Sequence, residues 1–241
     1  MNEQQKIEKN LVDFYMSFKD SDSYFENDFV KSISKVWPNF VMIKDYSKDF
    51  VKIVKSIKNQ QKIAKYWIFD VNYVKTHQKQ LKFEKIFPVK KWLGMYVKTP
   101  NSDTIPKIID FNVEPLKLHE MEQFVALINN TVFNKKTIDI AMLESKFNDA
   151  RFHFFVGKYQ NKIVSTCLIF DNGVTNGLYF ITTKKEFRTK GFGNSIIKKA
   201  INSQIKNGKK EFVLHANKIG ISIYKKLGFK EFSKLSIFVK I

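Results

Sequence analysis

The stretch 178–206 constrains this chain more than any other. Residues 178–183 are apolar and β-prone, and from Phe192 the period changes: Phe192, Ile196, Ile197, Ala200, Ile201 and Ile205 share one helical face, with Lys198, Lys199 and Asn202 opposite. Between predicted strand and helix stands Arg188-Thr189-Lys190-Gly191-Phe192-Gly193. The first backbone N–H groups of a helix have no internal partners and sit at the positive end of its dipole, so such a turn suits an anion. Gly191 and Gly193 let backbone approach a pyrophosphate without a Cβ in the way. Taken alone, a glycine-bearing strand-to-helix turn is also often only a turn.

Further strands and helices surround this segment, so the fold class is α/β. A strand over 107–113 precedes a helix over 116–132, with Leu118, Met121, Phe124, Val125 and Ile128 on one face, and a second helix over 138–147. A hairpin pairs 152–157 with 163–170, and a strand over 211–215 leads to Asn217, a good N-cap for a helix reaching Leu227. Lys225, Lys226 and Gly228 end that helix, and two short strands, 229–232 and 235–240, finish the chain. Pro100 and Pro106 bracket small polar residues, which places a linker at 100–106 between domains of 1–99 and 107–241. Eight of the nine glycines lie at or after Gly157, so the first domain has no glycine-rich loop to cradle a phosphate.

The formal charge is +19, which invites a nucleic-acid reading. Arg151 and Arg188 are the only arginines, however, against 40 lysines, and base or bidentate phosphate recognition leans on the guanidinium fork. Nucleic acid is therefore not the expected partner. The charge is uneven: +10 over 51–100 and +14 over 151–241, with small negative balances elsewhere. A single cysteine, Cys167, forms no internal disulfide or zinc cluster, and the N-terminus has no basic start followed by an apolar run. A cytoplasmic protein with no membrane span and no metal is expected.

The loop 188–193 fits at every defined position the Arg/Gln-x-x-Gly-x-Gly/Ala phosphate loop of the GNAT superfamily of acyl-CoA-dependent N-acetyltransferases, which the sequence resembles over about 107–241. Thr183 and Lys185 stand where relatives commonly have Val and Pro. Downstream, Asn217-Lys218-Ile219-Gly220-Ile221-Ser222-Ile223-Tyr224-Lys225-Lys226-Leu227-Gly228-Phe229 is similar to the family's Asn-x-x-Ala-x-x-Leu-Tyr-x-x-Leu-Gly-Phe, with Gly220 for Ala and Ile223 for Leu. The resemblance implies a three-layer fold whose mixed central sheet splays into a V. It implies acetyl-CoA in that V, with its pantetheine on the backbone of Ile181, Thr182 and Thr183. The pyrophosphate would meet Arg188, Thr189, Lys190, Gly191, Phe192, Gly193 and Asn194, with Ser195 adding a hydroxyl. Lys184, Lys185, Lys190, Lys198 and Lys199 either neutralise nucleotide phosphates or form a solvated face.

The implied reaction is direct attack of a neutral primary amine on the thioester, aided by proximity and by a backbone N–H near Thr182 or Thr183. In the resemblance Tyr224 is the general acid for the departing thiolate, or a ring that packs beside CoA and only hydrogen-bonds the sulfur. Asn217 bonds the pantetheine, caps its helix, or does both. The base is the gap. After residue 150 the carboxylates are Asp171, Glu186, Glu211 and Glu231, none within 178–183. His215 is the candidate by position and reference pKa, against a structural histidine, a water chain or an acid from the first half. Cys167 reads as core, and Phe212 stands where some ribosomal-protein acetyltransferases have a catalytic glutamate. A CoA sensor without turnover and an RNA-associated protein acting at an aminoacyl end are the rival readings, and the expected state is monomer or homodimer.

In the first half, Leu81-Lys82-Phe83-Glu84-Lys85 resembles Leu227-Gly228-Phe229-Lys230-Glu231, and the same register carries Trp92 onto Phe238. Gln78 then falls opposite Tyr224. This is similar to tandem GNAT proteins, in which a smaller, degenerate α/β first copy packs on the second and shapes the acceptor pocket. Ile7, Leu11, Tyr15 and Phe18 share a helical face, 50–57 fits the same half-domain, and Trp37, Trp67 and Trp92 read as core.

Overall fold

Asn2 opens the first helix with a capping box: its side chain accepts from the Gln5 N–H, while the Gln5 side chain accepts from the Asn2 N–H. The helix, α1 (Glu3–Met16), turns Ile7, Leu11, Phe14 and Tyr15 inward, as the spacing predicts. In this computed structural model, which describes residues 1–18, 24–25, 29–33, 37–43, 49–59, 64–101, 107–133 and 137–240, three strands follow. They are β1 (Tyr24–Phe25), β2 (Phe29–Ile33) and β3 (Asn39–Ile43). Asp49 caps α2 (Phe50–Lys58), and Asp70 ends β4 (Tyr66–Asp70) and caps α3 (Val71–Thr76). Helix α4 (Gln78–Phe83) leads into the long β5 (Ile86–Lys98). Most of the expected linker, 102–106, lies outside the described residues. The chain continues through β6 (Phe111–Pro115), α5 (Met121–Ile128), α6 (Ile140–Glu144), β7 (Phe152–Tyr159), β8 (Lys162–Asp171), β9 (Asn176–Thr183), α7 (Phe192–Lys206), β10 (Glu211–Ala216), α8 (Ile221–Lys226) and β11 (Lys230–Lys240).

Five sequence expectations change, the first being the helix over 138–147, which is the shorter α6, capped by Asp139 through the Ala141 N–H. The strand expected over 107–113 starts at Phe111, because a turn with Asp110 at φ 57° brings the Phe111 N–H to Ile108 O. The helix expected over 116–132 is a 3-10 turn, then α5, then a π turn over Asn129–Phe133. Asn129 explains its end: its side chain accepts from the Thr137 and Ile138 N–H groups and donates to Ile138 O, drawing the chain away from the axis. Asn217 makes a turn rather than the first turn of a helix, accepting from Ile219 and Gly220 N–H, so α8 begins at Ile221. The two final strands are one, β11, with a register skip between Glu231 and Ser233.

The strands form one mixed sheet in the order β1-β2-β3-β4-β11-β5-β10-β9-β8-β7-β6, with β3 and β4 parallel and β9 and β10 parallel. Strand β5, from the first hundred residues, lies antiparallel between β10 and β11, and β11 lies antiparallel between β4 and β5. Each half of the sheet therefore contains a strand drawn from the other. On one face, α1 and α5 cover Phe152, Leu168 and Phe170; on the other, α7 and α8 cover Met95, Cys167, Leu178 and Leu214. Beyond β11, α2 and Leu81 of α4 close a third cluster around Trp67, Phe69 and Phe238. Trp67 is fully buried there, while Trp37 and Trp92 are half-buried against the first cluster.

One polar cluster ties α1 to β9. Asn10 is fully buried; its Nδ2 donates to Thr175 O (2.9 Å) and Thr175 Oγ1 (3.1 Å), and its Oδ1 accepts from the Tyr179 hydroxyl (2.7 Å). Gly177 lies beneath, where any Cβ would overlap Asn10 Oδ1. Among the described residues no helix is long and apolar enough to cross a membrane.

Candidate functional site

The site begins where β9 and β10 part. Their parallel pairing runs from Phe212 opposite Asn176 to Leu214 opposite Leu178 and stops. β10 stays with β5 as far as Ala216 opposite Leu93, and β9 turns from it while staying with β8 as far as Thr183 opposite Ser165. A bulge helps it to do so. Thr166 pairs with Thr182 and Leu168 with Tyr179, which leaves Phe180 and Ile181 opposite Cys167 alone. Phe180 sits at φ 47°, a left-handed conformation costly for a bulky residue, and its carbonyl accepts from Thr166 Oγ1 at 2.8 Å. As a result the consecutive Tyr179 and Phe180 both pack on the α1 side, while Ile181 packs on the α7 side.

Beyond β9 the chain makes the loop that the sequence singles out. Arg188 is extended and exposed, and its Nε donates to Thr183 O at 3.0 Å, tying the loop to the strand end. Thr189 and Gly191 have φ of 63° and 88°. Gly191 precedes α7, no side chain caps the helix, and its first turn holds no acidic residue, so the amides of Phe192, Gly193 and Asn194 face an exposed loop. Phe192 anchors the helix start, edge-on to Phe111 (4.6 Å), Phe187 (5.4 Å) and Tyr159 (5.6 Å). Ser195 stands apart from the loop amides. Its N–H already bonds Gly191 O, and its side chain is buried against a cavity of about 670 Å³ bordered by residues 107–113 beside the edge strand. Lys185, Lys190 and Lys199 are exposed and Lys184 and Lys198 half-exposed.

Helix α8 brings Tyr224 to the α7 side of the sheet, where it is buried in the same cluster as Cys167 and Leu214. Burial, with a smaller contribution from Cys167, raises its hydroxyl above the ordinary phenol range. The ring leans over Gly220: a Cβ there would fall 2.7 Å from Tyr224 Cε2, which explains glycine where the family pattern has alanine. Cys167 is fully buried and burial raises its thiol, as befits core and not a nucleophile.

His215 is the next-to-last residue of β10, and its side chain meets Trp92 at 5.9 Å between rings. Its Nε2 is enclosed, and burial lowers the imidazole to about 4. A histidine held below its unfolded value of 6.5 is neutral in the fold, so the unfolded chain binds the proton first and stability falls as pH drops from 6.5 toward 4. Between pH 7 and pH 5 the protein is expected to lose on the order of 2 kcal/mol of unfolding free energy that His215→Gln does not lose. Urea titrations at the two pH values check this; equal losses in both proteins refute it.

Sequence reasoning missed Tyr179, Phe180 and Thr131. Thr131, in the π turn, accepts from Thr182 Oγ1 at 2.5 Å and so reaches the β9 wall from the α5 side. An unbroken apolar run hides a bulge, since alternation is its only local sign; the π turn has no composition signal at all. Among the described residues no three His, Cys, Asp or Glu side chains gather to hold a metal.

Comparison with known proteins agrees with this geometry. A family model described as an acetyltransferase (GNAT) domain matches residues 116–238, more than half of the chain. A GCN5-related N-acetyltransferase from Kribbella flavida superposes with a TM-score of 0.69 at 11% identity, covering 97% of this chain and 95% of its own. A putative GNAT-family acetyltransferase from Novosphingobium aromaticivorans does so at 0.56 and 12%, covering 91% of each chain. A conserved protein of unknown function from Staphylococcus epidermidis reaches 0.62 at 11%, covering 95% and 98%. At these identities the superpositions speak to the fold. No curated protein sequence matches this one.

Proposed function

This chain belongs to the GNAT acetyltransferases, and from that premise we propose that it transfers an acetyl group from acetyl-CoA to the primary amine of a small molecule or peptide by direct attack. The observation that carries the proposal is the β9–β10 splay beside an uncapped helix start. The loop fits the cosubstrate: Thr189 and Gly191 adopt left-handed backbone, Gly193 has no Cβ, and the amides of Phe192, Gly193 and Asn194 suit a pyrophosphate. Arg188 and Lys190 add charge at its edge, and the Thr182 and Thr183 backbone, freed from β10, suits pantetheine and the thioester carbonyl. Asn217 holds the turn that sets α8, and Ser195 supports the loop from the buried side of α7. Bound acetyl-CoA supplies the activated acyl group; the chain's residues supply position and proton handling.

Tyr224 donates to the departing thiolate. Its hydroxyl, raised by burial, is a weaker acid than a free phenol, so its help is a hydrogen bond that shortens as charge develops on sulfur. His215 is the group we assign as base, neutral by burial and set on the strand beside the splay. We read residues 1–99 as a degenerate copy of 107–241. The orders β3-α2-β4-α3-α4-β5 and β9-α7-β10-α8-β11 correspond, each with one parallel pair. In the first copy Asp49 caps α2 through the Lys52 N–H, which puts a carboxylate where the second copy leaves amides open. The cytoplasm is the compartment that suits its lone, buried Cys167.

Titration calorimetry with acetyl-CoA and CoA, followed by thiol release across an amine panel, tests the reading. Micromolar binding with turnover on at least one amine supports it; no binding, or binding with no CoA released from any amine, overturns it. Tyr224→Phe is expected to lower turnover about tenfold with acetyl-CoA affinity unchanged, the loss of one hydrogen bond to the developing thiolate. An unaltered rate would leave Tyr224 a packing role.

A further inference from the structure

Three residues on neighbouring strands form one row across the sheet. His215 is opposite Gly94 in the pairing of β10 with β5, and Gly94 is opposite Ser233 in the pairing of β5 with β11. Residues directly opposite in antiparallel strands point to the same face, so His215 and Ser233 flank a position that has no side chain. A Cβ at Gly94 would overlap Ser233 Oγ and come within 3.0 Å of Ile7 Cγ2. The serine hydroxyl therefore leans over the glycine, and the row lies under α1. Trp92, two residues before Gly94 and on the same face, walls it with its indole against the imidazole.

In this niche two polar atoms are left over. His215 Nε2 and Ser233 Oγ are both buried, and neither has a hydrogen-bond partner among the described residues. Each such orphan has given up its hydration with nothing in return, which is why buried polar atoms are nearly always satisfied. Ser233 Oγ already takes the place of a Gly94 Cβ, so the span left between it and His215 is about one strand spacing, roughly 4.8 Å, which one water bridges.

We propose that Ser233 is the positioning residue of His215: one buried water between them accepts from His215 Nε2–H and donates to Ser233 Oγ, which keeps the Nδ1 lone pair free. The proposal rests on the assignment of His215 as the base and specifies which nitrogen acts. With Nε2 sealed, a proton from the acceptor amine reaches only Nδ1. A neutral imidazole carries one proton, so an accepting Nδ1 requires that proton on Nε2, and the Nε2–H requires an acceptor. When the amine proton moves to Nδ1 the ring becomes an imidazolium with both nitrogens protonated, and the same water and hydroxyl stay hydrogen-bonded to the charged ring. Gly94 is then glycine because any Cβ there would displace the Ser233 hydroxyl.

Long-range 1H–15N spectra of the full chain, labelled in its imidazole nitrogens, test this without a known acceptor. The chain has four histidines, and His215 is assigned by the signals lost in His215→Gln. The wild type is expected to show His215 protonated on Nε2, Ser233→Ala to show the Nδ1–H form gaining population, and Ser233→Thr to restore the wild-type pattern. With an amine that the wild type acetylates, Ser233→Ala should lower kcat about tenfold with KM for acetyl-CoA unchanged, and Ser233→Thr should recover it. A wild-type His215 protonated on Nδ1, or a tautomer indifferent to Ser233, overturns the proposal. If His215→Gln turns over normally while the tautomer responds to Ser233, the base assignment fails and the hydrogen-bonded link stands. If His215→Gln is inactive while the tautomer ignores Ser233, the base stands and the link fails. Should the alanine variant not fold, Ser233→Cys, a weaker acceptor of similar size, gives the same readout.

Discussion

Gly191→Glu is expected to abolish acetyl-CoA binding, weakening it at least about 100-fold, which corresponds to about 2.7 kcal/mol. Two effects combine. Gly191 has φ 88°, a region an L side chain enters at a cost of about 1 kcal/mol, and the new carboxylate would lie against the open amides of α7. The carboxylate then satisfies those amides as an anion does, much as Asp49 caps α2, while repelling the pyrophosphate. Charge and strain separate in a second variant: Gly191→Ala keeps the backbone cost and adds no charge, so its loss should stay near tenfold or below. Calorimetry with CoA measures both. Unchanged affinity in Gly191→Glu would refute the assignment of the loop.

Asn10→Ala is expected to destabilise the fold by on the order of 3 kcal/mol, or a melting temperature lower by roughly 10 °C. Its amide serves three partners in a fully buried setting: Thr175 O, Thr175 Oγ1 and the Tyr179 hydroxyl. Alanine strands all of them and leaves a void beside Gly177, whose missing Cβ makes room for the amide. Asn10→Asp keeps the acceptor for Tyr179 and loses both donations to Thr175, so it should be intermediate. Thermal melts of the three proteins check the order. A loss under about 1 kcal/mol in Asn10→Ala would show that water replaces the amide and that α1 is not held by it.

How much of this was legible in the sequence depends on the range of each interaction. Helix α7 is found from its apolar face and the glycines before it, because capping, dipole and amphipathicity act within a few residues. The hairpin of β7 and β8 reads equally well, around a turn at Gln160 and Asn161. The insertion of β5 between β10 and β11 had no such mark: Trp92 aligns with Phe238, but local pattern does not state which strand will pair with which at a separation above a hundred residues. The site shows the same divide. Arg188, Gly191, Tyr224 and Asn217 belong to spaced motifs, whereas Gly94 and Ser233 acquire meaning only once three strands align them. Asn10 looked like one more polar residue on an amphipathic helix, since nothing near it in the chain reveals Tyr179 as its partner.

The exchange of strands sets a schedule for synthesis. A ribosome adds residues from one end, and most domains can settle as soon as their own segment has emerged. Here β4 has β3 on one side but obtains its other neighbour only when β11 is made, more than a hundred residues later. β5 likewise waits for both β10 and β11 with its amide and carbonyl edges unmet. The nascent first half thus carries unpaired strand edges until β11 has emerged, and loss of β11 would undo both halves together.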